Sequence, residues 1–219
     1  KTLDGCGLWS ANVVYYGIDG WEFQRDVPNG LDIGQARLDV GNDGYINADY
    51  SSKLYNVEVN LERNFGTCFR AFAGYRWMEI SDDFVLTGDS VVTSKTLNQY
   101  NGFQLGITGR NLLPWWRKLN CATTLKAGIF DNRASMNQHT VLDTDIGSTR
   151  DHTAFIGELS VDLTYCCTDH LVIFGGYEML WVDSVAFAPN QLDILDSSTV
   201  DIDDTAFYHG ARLGFNVNW

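Results

Sequence analysis

Nine charged residues share one property of position. Glu58, Glu62, Arg70, Arg76, Lys126, Glu158, Asp162, Glu178 and Arg212 each stand in a run where apolar and polar residues alternate, on the polar side of the alternation. With Arg110 beside them, five acids face five bases. Side chains on a pleated strand have a period of two, so this parity places the charges on one face of a sheet. Open to water they would merely be solvated. Enclosed, they would have to neutralise one another, because a buried charge needs a partner. The near balance points to a closed interior filled by an ion-pair network.

Two other chemistries compete for the acidic residues. The stretch 183–205 contains Asp183, Asp193, Asp196, Asp201, Asp203 and Asp204 and no base. Hard cations such as calcium take several carboxylate and carbonyl oxygens, which makes Asp201, Asp203 and Asp204 candidate metal ligands. The glycine and terminal glutamate of an EF-hand loop are absent, so a solvated acidic surface loop, or one bridged by calcium to neighbouring molecules, is the competing reading. His139, Asp143, Asp145, His152 and Asp204 fall on one prospective rim. A histidine base oriented by a carboxylate would suit acid–base chemistry there. Ordinary polar loop residues would look the same. No GxSxG motif occurs, and the glycines of "FGGYE" (174–178) precede neither a helix nor a P-loop lysine. No catalytic residue is assigned, and no cofactor is expected beyond such a calcium ion.

The five cysteines include no CxxC pair. If runs 119–131 and 153–165 are neighbouring antiparallel strands, Cys121 comes near residue 163. A disulfide to Cys166 or Cys167 is therefore expected in an oxidising compartment. Cys6 with Cys68 is a second pairing, and five separate thiols the alternative.

The elements that position these residues are strands. Alternation runs through 54–63, 68–79, 97–110, 119–131, 153–165, 170–182 and 206–219. Weaker segments cover 8–16, 34–41 and 44–50, with Asn42-Asp43-Gly44 as a hairpin turn. In the last run, Phe207, Ala211, Leu213, Phe215, Val217 and Trp219 share a face broken only by His209. About ten residues of tilted strand cross a bilayer, and a closing aromatic suits the interfacial girdle of a terminal barrel strand. Connections alternate: 64–67, 111–118 and 166–169 are short, whereas 80–96, 132–152 and 183–205 are long. Short periplasmic turns and long outer loops mark an outer-membrane barrel. Trp115 and Trp116, followed by Arg117 and Lys118, would anchor the short-turn side in the interface.

Composition agrees. The 219 residues include 21 glycines and only three prolines, all between periodic segments. A net charge of −13 excludes a basic nucleic-acid-binding surface. No apolar run reaches the roughly 18 residues of a transmembrane helix. The expected fold is all-β: one closed, antiparallel, up-and-down transmembrane β-barrel of 8 to 10 strands over 1–219. Residues 1–49 form its weaker N-terminal part.

Several stretches resemble the planctomycete-type outer-membrane β-barrel proteins. They are "YSSKLYNVEVNLERN" (50–64), "FAGYRWMEISDDF" (72–84), "NGFQLGITG" (101–109), "LKAGIFDNRA" (125–134), "AFIGELSVDLTYCCTDHLVIFGGYEMLWVDSVAFAPNQL" (154–192) and "YHGARLGFNVNW" (208–219). The resemblance covers most of 50–219 and implies a barrel in a bacterial outer membrane, with no catalytic motif. The expected role is a non-catalytic structural or interaction barrel. Its partners would be outer-membrane lipid and, through acidic loops, neighbouring copies or envelope proteins. A rim-site enzyme acting on lipid or peptide, and a soluble carbohydrate-binding β-sandwich, are the alternatives.

Overall fold

Alternation of apolar and polar residues builds one long antiparallel sheet. The computed structural model describes residues 8–28, 32–33, 36–37, 45–88, 91–110, 118–139, 145–168, 171–192 and 199–217. β1 (Trp9–Pro28) precedes a minimal pair, β2 (Asp32–Ile33) and β3 (Ala36–Arg37). Seven long strands follow: β4 (Tyr45–Phe65), β5 (Phe69–Thr87), β6 (Val91–Gly109), β7 (Leu119–His139), β8 (Asp145–Cys166), β9 (Leu171–Val185) and β10 (Asp204–Val217). The eight long strands pair in the order β1-β4-β5-β6-β7-β8-β9-β10, each with its sequence neighbour in the sheet. That is an up-and-down meander.

The two faces differ as their parity requires. Val59, Leu61, Phe103, Leu105, Leu125, Ile129, Phe155, Leu213 and Phe215 point outward and stay exposed, Phe103 at 76% and Leu213 at 83%. Glu58, Arg76, Gln104, Asn132 and Glu158 point inward and are buried. An exposed apolar band wrapped around buried charges inverts the arrangement of a water-soluble sheet protein at this level of the sheet.

The sheet is strongly curled. Arg76 on β5 and Glu158 on β8 touch at 3.0 Å, although three strand spacings in a flat sheet are about 14 Å. Glycine permits the curl at the inner face: a Cβ on Gly102 would lie 2.3 Å from the Ile129 carbonyl oxygen of the adjacent strand. The result is a half-barrel of eight antiparallel strands. The closure expected from the sequence is not seen, for among the described residues β10 pairs only with β9 and β1 only with β4.

Strand limits differ from those expected. Runs 44–50 and 54–63 are a single strand, β4. Stretches 80–96 and 132–152, expected as loops, are largely extensions of β5–β6 and β7–β8, which pair up to Thr87↔Val91 and His139↔Asp145. Polar residues occupy both faces there, so no alternation betrays the strands. β1 runs past residue 16 to Pro28, and its register shifts between Ile18 and Trp21, where Gly20 has φ 82°. This bulge exchanges the faces: Ile18 opposes inward Leu54, and Trp21 opposes inward Ser52. The expected turn at 42–44, the bulk of the 34–41 strand, Cys6 and the Trp115–Trp116 anchor lie outside the described residues.

Crowding at Gly102 makes a direct prediction. Gly102→Ala should destabilise the fold by about 1–3 kcal/mol through overpacking. Gly210→Ala, where a Cβ would meet nothing within 4 Å, should be close to neutral. Thermal unfolding in detergent compares the two.

Candidate functional site: a layered interior

The concave face is filled in layers, beginning with ion pairs. Glu58 on β4 is fully buried. It accepts hydrogen bonds from Gln104 at 2.7 Å and Asn60 at 3.1 Å, and Lys126 Nζ stands 3.2 Å from both its oxygens. Arg76 spends its whole guanidinium across the interior: Nε on Asn56 at 2.6 Å, Nη1 on Glu158 at 3.0 Å, Nη2 on the Tyr16 hydroxyl of β1 at 2.8 Å. Lys126 closes the quartet on Glu158 at 2.7 Å. One cluster thus ties β1, β4, β5, β7 and β8.

Toward the short-turn end the pairs become peripheral. Arg70 meets Glu62 at 2.9 Å, and Glu62 also accepts from Ser10 at 3.1 Å. Arg212 Nε donates to Asp162 at 3.1 Å on the half-open side of the sheet. Arg110 turns to Asn64 at 2.6 Å instead of to an acid. Glu178 faces the same space and enters none of these pairs. Between the peripheral pairs and the quartet lies a cavity of about 650 Å³, walled by residues such as Asn12, Asn60, Thr124, Ser160 and Glu178. It reaches the gap between β1 and β10, whose Tyr15 and His209 also line it.

On the other side of the quartet the interior turns apolar. Leu54, Met78, Ile80, Tyr100, Phe130, Ile156 and Val182 form a dry layer. Above it, the chain leaving β9 folds inward. Ser184 takes the left-handed conformation, φ 58°, and Val185, Ala186 and Ala188 are fully buried. Asn98 holds the backbone of Ala186 with both ends of its amide, donating to the carbonyl at 2.9 Å and accepting from the N–H at 2.9 Å. Asn132 donates to the Ser184 carbonyl at 2.7 Å. A single 3-10 turn, Ala188–Gln191, follows, and Gln191 clamps the backbone of Asp201 in the same two-ended way at 2.7 and 2.9 Å. Leu192, Val200 and Ile202 are buried as well.

Over the described residues 183–192 and 199–205 this inward course corrects the expectation of a surface loop, while Asp193 and Asp196 lie outside the described residues. The segment's apolar residues Val185, Ala186, Leu192, Val200 and Ile202 are the missed signal, overshadowed in the sequence by the aspartates. Among the described residues no three His, Cys, Asp or Glu side chains stand close enough to hold an ion. The Asp201 carboxylate accepts from the Asp203 N–H at 3.1 Å, and Asp204 is engaged by Asn190. At the rim, His139 and Asp145 do meet, at 2.9 Å. His152 opposes Asn132, seven residues further along β8 than Asp145, a separation of about 24 Å. Asp143 lies outside the described residues. His209, on the outer face, bonds the Tyr177 hydroxyl at 2.6 Å.

The disulfide from Cys121 to Cys166 or Cys167 is not formed. Cys68, Cys121, Cys166 and Cys167 gather at the short-turn end but are unpaired. Cys121 opposes Leu163, and three further residues to Cys166 add about 10 Å along the strand, beyond the roughly 7 Å that a bridge tolerates.

Burial ranks the ion pairs energetically. Arg76→Ala would leave Glu58 and Glu158 short of a buried cation and should cost about 3–5 kcal/mol. Arg212→Ala removes a pair with an arginine side chain 56% exposed and should cost about 0–1 kcal/mol. Unfolding midpoints of the two variants, measured side by side, test the ranking.

Among known proteins, no curated protein and no solved structure matches the chain. A family model does match, over residues 33–208, which takes in β3 to β9 and the start of β10. An eight-stranded up-and-down sheet with an apolar outside and an ion-paired inside is the architecture that such a family's description leads one to expect. The chain belongs to the Putative beta barrel porin-7 (BBP7) family.

Proposed function

We propose that this protein is a non-catalytic structural or interaction barrel of a bacterial outer membrane, with a plugged interior instead of an open pore. The outward apolar band carries the reading. On β8 it extends from Phe155 to Tyr165, on β10 from Phe207 to Phe215, and on β4 from Val57 to Phe65. Nine to eleven tilted residues match the thickness of a bilayer core. Trp9, Phe65, Phe69 and Tyr165 fringe the band at the short-turn end, and Tyr75, Trp181 and Phe207 at the other, as aromatic girdles do. Beyond the upper fringe the outer face turns charged, with Asp83 paired to Lys95 at 2.8 Å.

In such a membrane the barrel would close between β1 and β10, because an open sheet edge cannot face lipid. Stacking of Trp21 on Tyr208, ring centroids 5.1 Å apart, supports this closure: the side chains of the first and last strands already meet. The quartet, the dry layer and the inward segment favour a plugged interior over a conducting one, since eight strands leave a space that side chains can fill. Lipid would be the main partner, and envelope proteins could meet the projecting hairpins. The resemblance of 50–219 to planctomycete-type barrels supports a planctomycete source for that membrane.

Leu213→Arg, at a fully lipid-facing position, should cost roughly 2–4 kcal/mol in a lipid refolding assay; a neutral result would remove the membrane setting. In planar bilayers the protein should show almost no conductance. Stable porin-sized channels would overturn the plugged interior.

A further inference from the structure

Among the described residues, one buried charge enters no ion pair. Asp82 is on the inner face of β5, 1% exposed, at the level where β5 and β6 project beyond the apolar band. Neither of its carboxylate oxygens has a hydrogen-bond partner. The Ser52 and Tyr50 hydroxyls and the Ala188 backbone stand beside it, yet none completes a bond to it. Its strand partners are Ser52 on β4 and Thr96 on β6, so three oxygen-bearing side chains form one row across three strands. Two further oxygens nearby are equally orphaned, Thr96 Oγ1 and, two residues along β6, Ser94 Oγ, on side chains that are 3% and 0% exposed. The turn Ala188–Gln191 roofs the row.

This collection is costly as it stands. A desolvated carboxylate with no completed hydrogen bond and no counter-charge is among the least favourable groups a protein can bury. The groups that act on it most strongly are Ser52, Tyr50, the Ala188 backbone and Asp83, and none of them is a base. The lysines at this height, Lys53 and Lys95, sit on the exposed outer face. Burial accordingly pushes the Asp82 carboxyl above the usual carboxylate range. By linkage, a raised folded-state value adds stability at acid pH that is lost as pH rises through it.

The orphaned atoms are all hard oxygen donors, and together they carry a single negative charge. That donor set fits a small hard cation of one positive charge. Calcium, by contrast, takes six to eight oxygens and commonly several carboxylates. We propose that Asp82, with the hydroxyls of Ser52, Thr96 and Ser94, forms a sodium-class monovalent cation site that holds the inward turn Ala188–Gln191 in place. A water molecule could satisfy the hydroxyls but would leave the charge uncompensated.

The test uses the full chain, folded in detergent at neutral pH, and reads the thermal unfolding midpoint. Sodium chloride is titrated against choline chloride at equal ionic strength, choline being too large for the site. The expected result is a rise of at least about 3 °C specific to sodium. The rise should vanish in Asp82→Asn, which should itself be more stable than the unsubstituted chain in choline. Thr96→Val, which removes one ligand and keeps Asp82, should shift the response to higher sodium concentration. Equal midpoints in the two salts overturn the proposal. So does a sodium response that survives Asp82→Asn. Stabilisation by Asp82→Asn without any sodium effect would assign the group to protonation alone and overturn the cation site.

Discussion

Arg76 needs partners that only a curled sheet can bring to it. Its guanidinium is 1% exposed and is met by Asn56, Tyr16 and Glu158 from three other strands. A charge so placed is tolerable only when each of its N–H groups is satisfied. The demand is geometric as well as electrostatic, because β5 and β8 are not neighbours in the sheet. Curl makes the quartet, and the quartet resists any flattening of the curl. The small residues on the inner face follow from the same constraint. At Gly102 there is no room for a methyl group between β6 and β7.

The interior is graded along its axis. At the short-turn end, water-accessible pairs and a cavity of about 650 Å³ surround polar side chains. The quartet comes next, then the apolar layer around Met78, Tyr100 and Phe130, then the inward segment. Side-chain amides do the joining at the top. Asn98 and Gln191 each present a donor and an acceptor to a backbone amide pair, as a neighbouring strand would. They satisfy backbone groups of an irregular segment that has no neighbouring strand to pair with. That explains how a segment rich in aspartate can enter the interior: its backbone and apolar residues are inside, while Asp201 and Asp203 remain exposed.

Exterior and interior are thus specified by different physics. The outside is an area constraint, met by any apolar residue of the right parity within the band. The inside is a set of specific pairings, in which exchanging one acid or base leaves its partner uncompensated. Of the described rim candidates, only His139 and Asp145 come together, and both are solvated at a hairpin end.

The sequence alone determined what depends on period and on near neighbours. Parity assigned Glu58, Arg76, Lys126 and Glu158 to the inside and Phe103, Leu125 and Leu213 to the outside, because a strand admits only two faces. Order along the chain determined the meander, because short connections oblige successive strands to pair. The strands' upper halves were hidden, since beyond the apolar band Asn, Ser, Thr and Asp serve both faces and leave no alternation to read. Past Ile18 the parity itself was lost to the bulge at Gly20, which no period of two anticipates. Tertiary structure decided everything that turns on register and curl. Three residues of offset kept Cys121 from Cys166. The depth of the curl chose Glu158 for Arg76 and left Glu178 aside. The inward path after Ser184 buried Ala186 against Asn98, a contact between residues 88 apart in sequence that only the folded sheet can arrange.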